Sequence, residues 1–445
     1  MKIFKKIYIT TKYLPENGQA KQKFNLKLPN NSMSSYLPDQ IPQHILLQIF
    51  TYLDSTDLLR LAGVCKYLRD LIFTSPQIWR TIRLKLSCSQ YPLCNKSALW
   101  YAKLFGIHFR KLRIDCDHVC EHIFCKTMAV CLRNFLLSLR QTTLTSLVVK
   151  FGQITHASVA VVFRLVEILT RILTRCRDLQ HFGMPWALWT VQDGSKVLDT
   201  LWSTSRGSLK SLRLEGYFVP PKDGRRPAEF DRVTTGILSL THLTKLCIDY
   251  CVLNDAFVNS LSRANTKIKM LMLFDVDFNG ALTIISKNAW LNLTQACSEM
   301  KVSFITNGSP ERIIAKLEPV LNVHTIRIYV DVSANRNAPK IGEVLRHITT
   351  NFSRSLVKFE MTVDVDDRIT TSLVHLVRHC QHLVHVKIKA KFPNPKIKET
   401  ILKLIQNRRR QIYLRKYPNT ANKRARTSKA NGPGSSPAVA IERMS

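Results

Sequence analysis

Six sulfur and imidazole side chains crowd one stretch of the sequence: Cys116-x-His118-x-Cys120-x-His122-x-x-Cys125, with Cys131 beyond. Such residues are zinc ligands when four converge tetrahedrally. The spacing argues against convergence. On a helix Cys116 and Cys120 share one face, while His118 and His122 lie on nearly the opposite one. Neither Cys-x-x-Cys nor His-x3-His frames the stretch. It reads as packed thiols and surface imidazoles, and no metal or other cofactor is expected.

Other catalytic constellations are missing from the sequence. It has no His-Glu-x-x-His, no Gly-x-Ser-x-Gly and no phosphate-binding Gly-x-x-x-x-Gly-Lys-Ser/Thr. Asp364-Val-Asp-Asp367 follows an expected strand and reads as a turn or an acidic rim. The expectation is a non-catalytic protein that works by binding. Twelve cysteines without a secretory signal read as reduced thiols in an intracellular protein, cytoplasmic or nuclear. No run of 18 apolar residues is present, so no membrane partner is expected.

The elements that would present a binding surface fall into two groups. In residues 37–84, Ile45, Leu46, Ile49, Phe50 and Leu53 form one apolar helical stripe. Pro42 suits the first turn of that helix. Asp54-Ser-Thr-Asp57 supplies cap residues for a second helix carrying Leu58, Leu61, Val64 and Cys65. Leu68, Leu71 and Ile72 continue the spacing until Ser75-Pro76 stops it, and Ile78 and Trp79 follow. Three short helices in ~40 residues cannot bury this much apolar surface alone. A partner laid against the stripe is the natural remedy.

These residues resemble the F-box. The matching elements are Ile41-Pro42, Ile45-Leu46-x-x-Ile49-Phe50-x-x-Leu53, Asp57-Leu58-Leu59-x-Leu61, Val64-Cys65-Lys66-x-x-Arg69 and Ile78-Trp79-Arg80. The usual Leu-Pro opening is Ile-Pro here, and the aromatic expected before Arg69 is displaced to Tyr67. The resemblance implies docking to the Skp-family adaptor of a cullin–RING ubiquitin ligase. The adaptor-binding positions it carries over are Pro42, Ile45, Leu46, Ile49, Phe50, Leu53, Leu58, Leu61, Val64, Cys65, Leu68 and Trp79. For Leu53, Leu61 and Leu68, packing among the three helices is an equal alternative.

From residue 107 to 405 an apolar-x-x-apolar-x-apolar triad recurs. Its copies are Phe109-Leu112-Ile114, Leu144-Leu147-Val149, Leu179-Phe182-Met184, Leu209-Leu212-Leu214, Leu243-Leu246-Ile248, Ile268-Leu271-Leu273, Val323-Ile326-Ile328, Leu356-Phe359-Met361 and Leu383-Val386-Ile388. A degenerate copy sits at Met300, Val302 and Phe304. Central residues recur at intervals of 24 to 35. Each triad predicts a short strand, and most are followed by a helical stretch. Cys251 stands where leucine-rich repeats place Asn or Cys to bond the turn backbone. The expected fold class is therefore α/β: a three-helix F-box followed by a divergent leucine-rich-repeat solenoid. Residues 85–106 read as a connector, and Val219–Pro227 as a loop insertion.

An F-box with leucine-rich repeats resembles one class of ubiquitin-ligase receptors. Within it the chain is similar to the subfamily of F-box only protein 39, on Ser97–Gly106 and the stretch around Met300–Phe304. The implied function is substrate recognition in an SCF-type ligase.

Charge separates this from its rival, a non-catalytic scaffold or nucleic-acid-binding protein. The net charge is +35, with a pI near 10.0. Residues 1–36 carry +6 and 396–445 carry +11, whereas 37–84 carries only +1. Both ends read as basic, disordered tails outside the domains. The C-terminal one (406–445) bears Arg408–Arg410, Arg415-Lys416 and Lys423–Arg426, which suit either nuclear import or solubility. The remaining +17 is spread along the repeats without the basic–aromatic stripe of a nucleic-acid protein. An acidic or phosphorylated protein substrate is the partner this charge favours.

Overall fold

The structure is a computed structural model of the 445-residue chain. It describes residues 41–53, 55–86, 93–116, 122–139, 142–151, 159–219, 226–264, 267–275, 284–329, 338–362, 367–389, 396 and 399–407. His118, Cys120, Asp54, Asp364, Asp366, most of the 219–227 insertion, the N-terminal basic tail and residues 408–445 of the C-terminal one lie outside the described residues. Two compact units divide between Thr74 and Ser75.

The first unit contains α1 (Gln43–Phe50), α2 (Ser55–Ala62) and α3 (Lys66–Thr74). Pro42 starts α1 because its carbonyl accepts from the Ile45 and Leu46 N–H groups at 2.9 and 3.2 Å. Two side chains close the turn between α2 and α3. Arg69 Nε donates to the Ala62 carbonyl at 3.1 Å, satisfying a carbonyl at the end of α2. The Cys65 Sγ accepts from the Leu68 N–H at 3.5 Å, a sulfur cap on α3.

The second unit opens on a 3₁₀ turn, Pro76–Arg80. Its first elements are β1 (Thr81–Leu86), α4 (Leu93–Phe105), β2 (Lys111–Cys116), α5 (His122–Ser138), β3 (Ser146–Lys150) and α6 (Val159–Arg175). Next come β4 (His181–Gly183), α7 (Val191–Ser205), β5 (Ser211–Arg213), α8 (Glu229–Leu238), β6 (Lys245–Asp249) and α9 (Asp255–Arg263). The array ends with β7 (Met270–Asp275), α10 (Lys287–Ala296), β8 (Lys301–Thr306), α11 (Pro310–Lys316), β9 (Val323–Tyr329), α12 (Ala338–Phe352), β10 (Lys358–Thr362), α13 (Asp367–His379) and β11 (His385–Lys389).

All eleven strands form one sheet in sequence order, each parallel to the next. A doubly wound α/β sheet would permute that order. Sequential order instead stacks unit on unit, and helices pack on their chain neighbours, as α7 does on α6 and α8. The architecture is solenoid-like. Each triad supplies a strand, and its central residues align as one buried ladder: Leu112, Leu147, Phe182, Leu212, Leu246 and Leu271. The degenerate copy marks the one irregularity. Val302 pairs with both Leu271 and Val323, and a bulge beside it shifts the ladder by a pleat.

Two boundaries differ from the sequence expectation. The sheet begins at Thr81, not beyond residue 106, because Trp79-x-x-Ile82-x-Leu84 is itself a triad. Ile82 and Leu84 pair with Leu112 and Ile114. The span read as a connector contains α4, whose Tyr101, Ala102 and Phe105 are buried.

Candidate functional site: an exposed apolar face and a basic sheet face

In the first unit the apolar residues of α1 fall on two lines. Leu46 and Phe50 are buried, with Leu53 half-buried. Ile45 and Ile49 lie one position earlier in each turn and remain 38% and 47% exposed. Tyr52, just past the helix, continues their line at 83% exposed. Pro42 is also exposed. Val64 (71%) and Tyr67 add apolar surface at the α2–α3 turn. Together these side chains leave an exposed apolar surface on a small unit.

The other residues expected to bind the adaptor sit differently. Leu58 and Leu68 are buried, and Leu61 and Cys65 are half-buried. Cys65 is occupied as the α3 cap. Trp79 stands apart from the others: it belongs to the second unit, is fully buried, and stacks on Phe105 with ring centroids 3.8 Å apart. It is the first residue of the first triad, so burial there is its packing role. Tyr52 was missed by motif reading, though its i+7 spacing from Ile45 was a usable signal.

A family model described as F-box-like matches residues 38–85. The segment is an F-box-like domain. A comparison of the chain with curated proteins finds no match. The F-box-like match runs past the division at Thr74, so its last eleven residues fold as the opening turn and first strand of the second unit. F-box domains usually belong to non-catalytic substrate-receptor subunits, and no helix among the described residues is long and apolar enough to cross a membrane.

The second surface is the face of the sheet that alternates with the buried ladder. Its basic side chains are partly matched by carboxylates. Asp115 accepts from Arg83 Nε at 2.8 Å and Arg113 Nε at 2.9 Å. Burial pushes the Asp115 carboxyl up, but the two guanidiniums outweigh it and hold the group below its ordinary value. Arg213 pairs with Glu215 in the same way. Farther along, Glu360 takes Lys358 at 2.7 Å and Arg327 at 3.1 Å. Burial raises that carboxyl too, and the cations again prevail and lower it.

At the end of β6, Asp249 has no such cation among the described residues. Its Oδ1 accepts from the Gly216 N–H at 2.7 Å, where Gly216 takes φ +62 beneath the Trp186 ring. Burial pushes the Asp249 carboxyl up to about 8 against the pull of the Gly216 and Tyr217 N–H groups. A carboxyl raised on folding favours the folded state most below its unfolded value. That contribution disappears as pH rises through about 8. The melting temperature is therefore expected to fall between about pH 5 and pH 9, and Asp249→Asn, which keeps the acceptor, should flatten that fall.

Proposed function

We propose that the chain is the substrate-recognition subunit of an SCF-type ubiquitin ligase. The F-box-like domain docks a Skp-family adaptor, and through it a cullin–RING ligase, using the exposed line Pro42, Ile45, Ile49 and Tyr52 with Val64 beside it. The observation that carries this reading is apolar exposure on α1 inside the matched segment. A partner helix laid along that line would complete the burial the three helices lack. The solenoid-like unit, read as leucine-rich repeats, holds the substrate. Its Leu-rich triads in sequential register support that reading. Likeness to the subfamily of F-box only protein 39 rests on Ser97–Gly106 and Met300–Phe304, which fall mainly in α4 and β8.

In this role the chain performs no chemistry of its own. Holding substrate and ligase on one molecule raises the effective concentration of target lysines at the transfer site. The test is a pull-down. Pro42→Ala with Ile45→Ala should abolish co-purification of the adaptor, since truncating an interface anchor typically costs ~2–4 kcal/mol. Both residues are exposed, so the melting temperature should stay unchanged. Undiminished adaptor capture by this variant would refute the assignment.

A further inference from the structure

The strands of the second unit carry their charges at opposite ends. Bonds from N–H to carbonyl run along the edge where the strands start: Arg110 to Arg80, Thr145 to Arg110, Gln180 to Thr145, Lys210 to Gln180, Thr244 to Lys210 and Lys269 to Thr244, at 2.7 to 2.9 Å. They set Arg80, Arg110, Lys210 and Lys269 on one line, and all four are exposed. One position on, β2, β6 and β8 each open on an exposed lysine, Lys111, Lys245 and Lys301. Register places Ser146, His181 and Ser211 between the first two. Burial first, then Lys111, Lys245 and Lys210, hold the His181 imidazole below its ordinary value, so cations from different strands act on one point.

The carboxylates gather at the other end. Asp115, Asp249 and Asp275 stand in the last two positions of β2, β6 and β7, Glu215 follows β5, and all four are buried. From Arg110 to Asp115 the chain rises roughly 16 Å along the strand. None of the edge cations has a carboxylate partner among the described residues, in contrast to Arg83, Arg113 and Arg213 farther up the sheet. The turns entering β2 to β8 add Arg177, Arg206 and Lys267 against Asp178 and Glu299. Two threonines also cover edge carbonyls. Thr145 Oγ1 donates to that of Arg110 at 3.1 Å, and Thr244 Oγ1 to that of Lys210 at 3.0 Å.

We propose that this edge binds the phosphate backbone of a nucleic-acid duplex. The inference goes beyond the receptor reading and does not depend on it. From β1 to β8 the edge spans roughly 34 Å at ~4.8 Å per strand, which is about one turn of B-form duplex. The sheet holds the cations in a rigid line and a duplex holds its phosphates in another, so little is ordered on binding. An acidic peptide would have to be ordered along the same length. No Phe, Tyr or Trp stands in either row, so a single strand finds no stacking platform. Met270 is the only exposed apolar side chain in the rows, too little to insert into a membrane. Backbone contacts of this kind carry no base sequence.

The test uses the full chain with labelled DNA and RNA duplexes about two turns long, followed by fluorescence anisotropy across a salt series. The edge variant combines Lys111→Gln, Lys210→Gln, Lys245→Gln and Lys269→Gln. The control combines Arg164→Gln, Arg263→Gln, Lys287→Gln and Arg346→Gln, all exposed on helices α6, α9, α10 and α12. The two variants lose the same charge and keep both basic tails, so only position separates them. Wild type should bind a duplex with a steep salt dependence. The edge variant should lower the slope for DNA by about 3 to 4 and weaken low-salt affinity about a hundredfold. The control should stay within about threefold of wild type. The same four edge lysines replaced by arginine should bind as wild type does, and the two duplex affinities tell DNA from RNA.

Equal losses in the edge and control variants would reduce the effect to net charge and overturn the proposal. So would a wild type that binds neither duplex. Sedimentation with vesicles of phosphatidylcholine and phosphatidylserine in equal parts, lost in the edge variant while duplex binding is kept, would assign the edge to a membrane and overturn it as well.

Discussion

Asp275→Ala is expected to destabilise the repeat unit by about 3–5 kcal/mol. Asp275 ends β7, and its Oδ1 lies 2.5 Å from the Nζ of Lys316 at the end of α11. Both side chains are less than a tenth exposed. The second carboxylate oxygen accepts from Thr306 Oγ1 at 3.2 Å, and Thr306 Oγ1 in turn accepts from the Gly308 N–H at 3.0 Å. On the far side the Lys316 ammonium stands 4.8 Å from the centre of the Tyr250 ring. Every charge in this cluster is answered locally, which is the condition for keeping a buried ion pair.

Removing the carboxylate leaves an ammonium with an aromatic face and no counter-ion, in a place water does not reach. The double variant Asp275→Ala with Lys316→Met should recover most of the loss, because no isolated charge then remains. Urea unfolding of the two single variants and the double variant measures the coupling. Additive losses would show that the pair acts as two independent packing groups and would refute this account. In a stack stabilised by neighbour contacts, the damage should be greatest around β7 to β9, where the pair joins successive units.

Much of this architecture was legible in the sequence, for a physical reason. A triad such as Leu243-x-x-Leu246-x-Ile248 states both a strand and its buried side, because alternate residues of a strand share a face. Sequential order then follows from repetition. Less legible was which part of an apolar stripe stays open. Leu46 and Ile45 are adjacent and equally apolar, yet one is buried and the other exposed. Helical periodicity gives the width of a stripe, not which half of it the protein's own core covers.

The basic row on the sheet was hidden for another reason. Lys111, His181 and Lys245 carry no local signal, and only strand register makes them neighbours. Segment charge showed an excess on the repeats but could not show that Asp115 and Glu215 neutralise the arginines and leave the lysines unmatched.

Trp79 sharpens the distinction between motif and role. Read within the F-box pattern, it is an adaptor contact. Read within the triad Trp79-x-x-Ile82-x-Leu84, it is the first core residue of the sheet. The structure favours the second reading through full burial, stacking on Phe105 at 3.8 Å and a tilted contact with Tyr101 at 5.8 Å. Trp79→Ala should therefore cost about 3–5 kcal/mol of stability, the range for deleting a buried aromatic side chain. Trp79→Phe should cost less, since it keeps a ring against Phe105. Adaptor capture assayed well below the melting temperature should persist in both variants, because neither touches Pro42, Ile45 or Ile49. The opposite pattern, an unchanged melting temperature with capture lost, would return Trp79 to the interface. Pro42→Ala with Ile45→Ala and Trp79→Ala thus form a crossed pair, one expected to remove binding without stability and the other stability without binding.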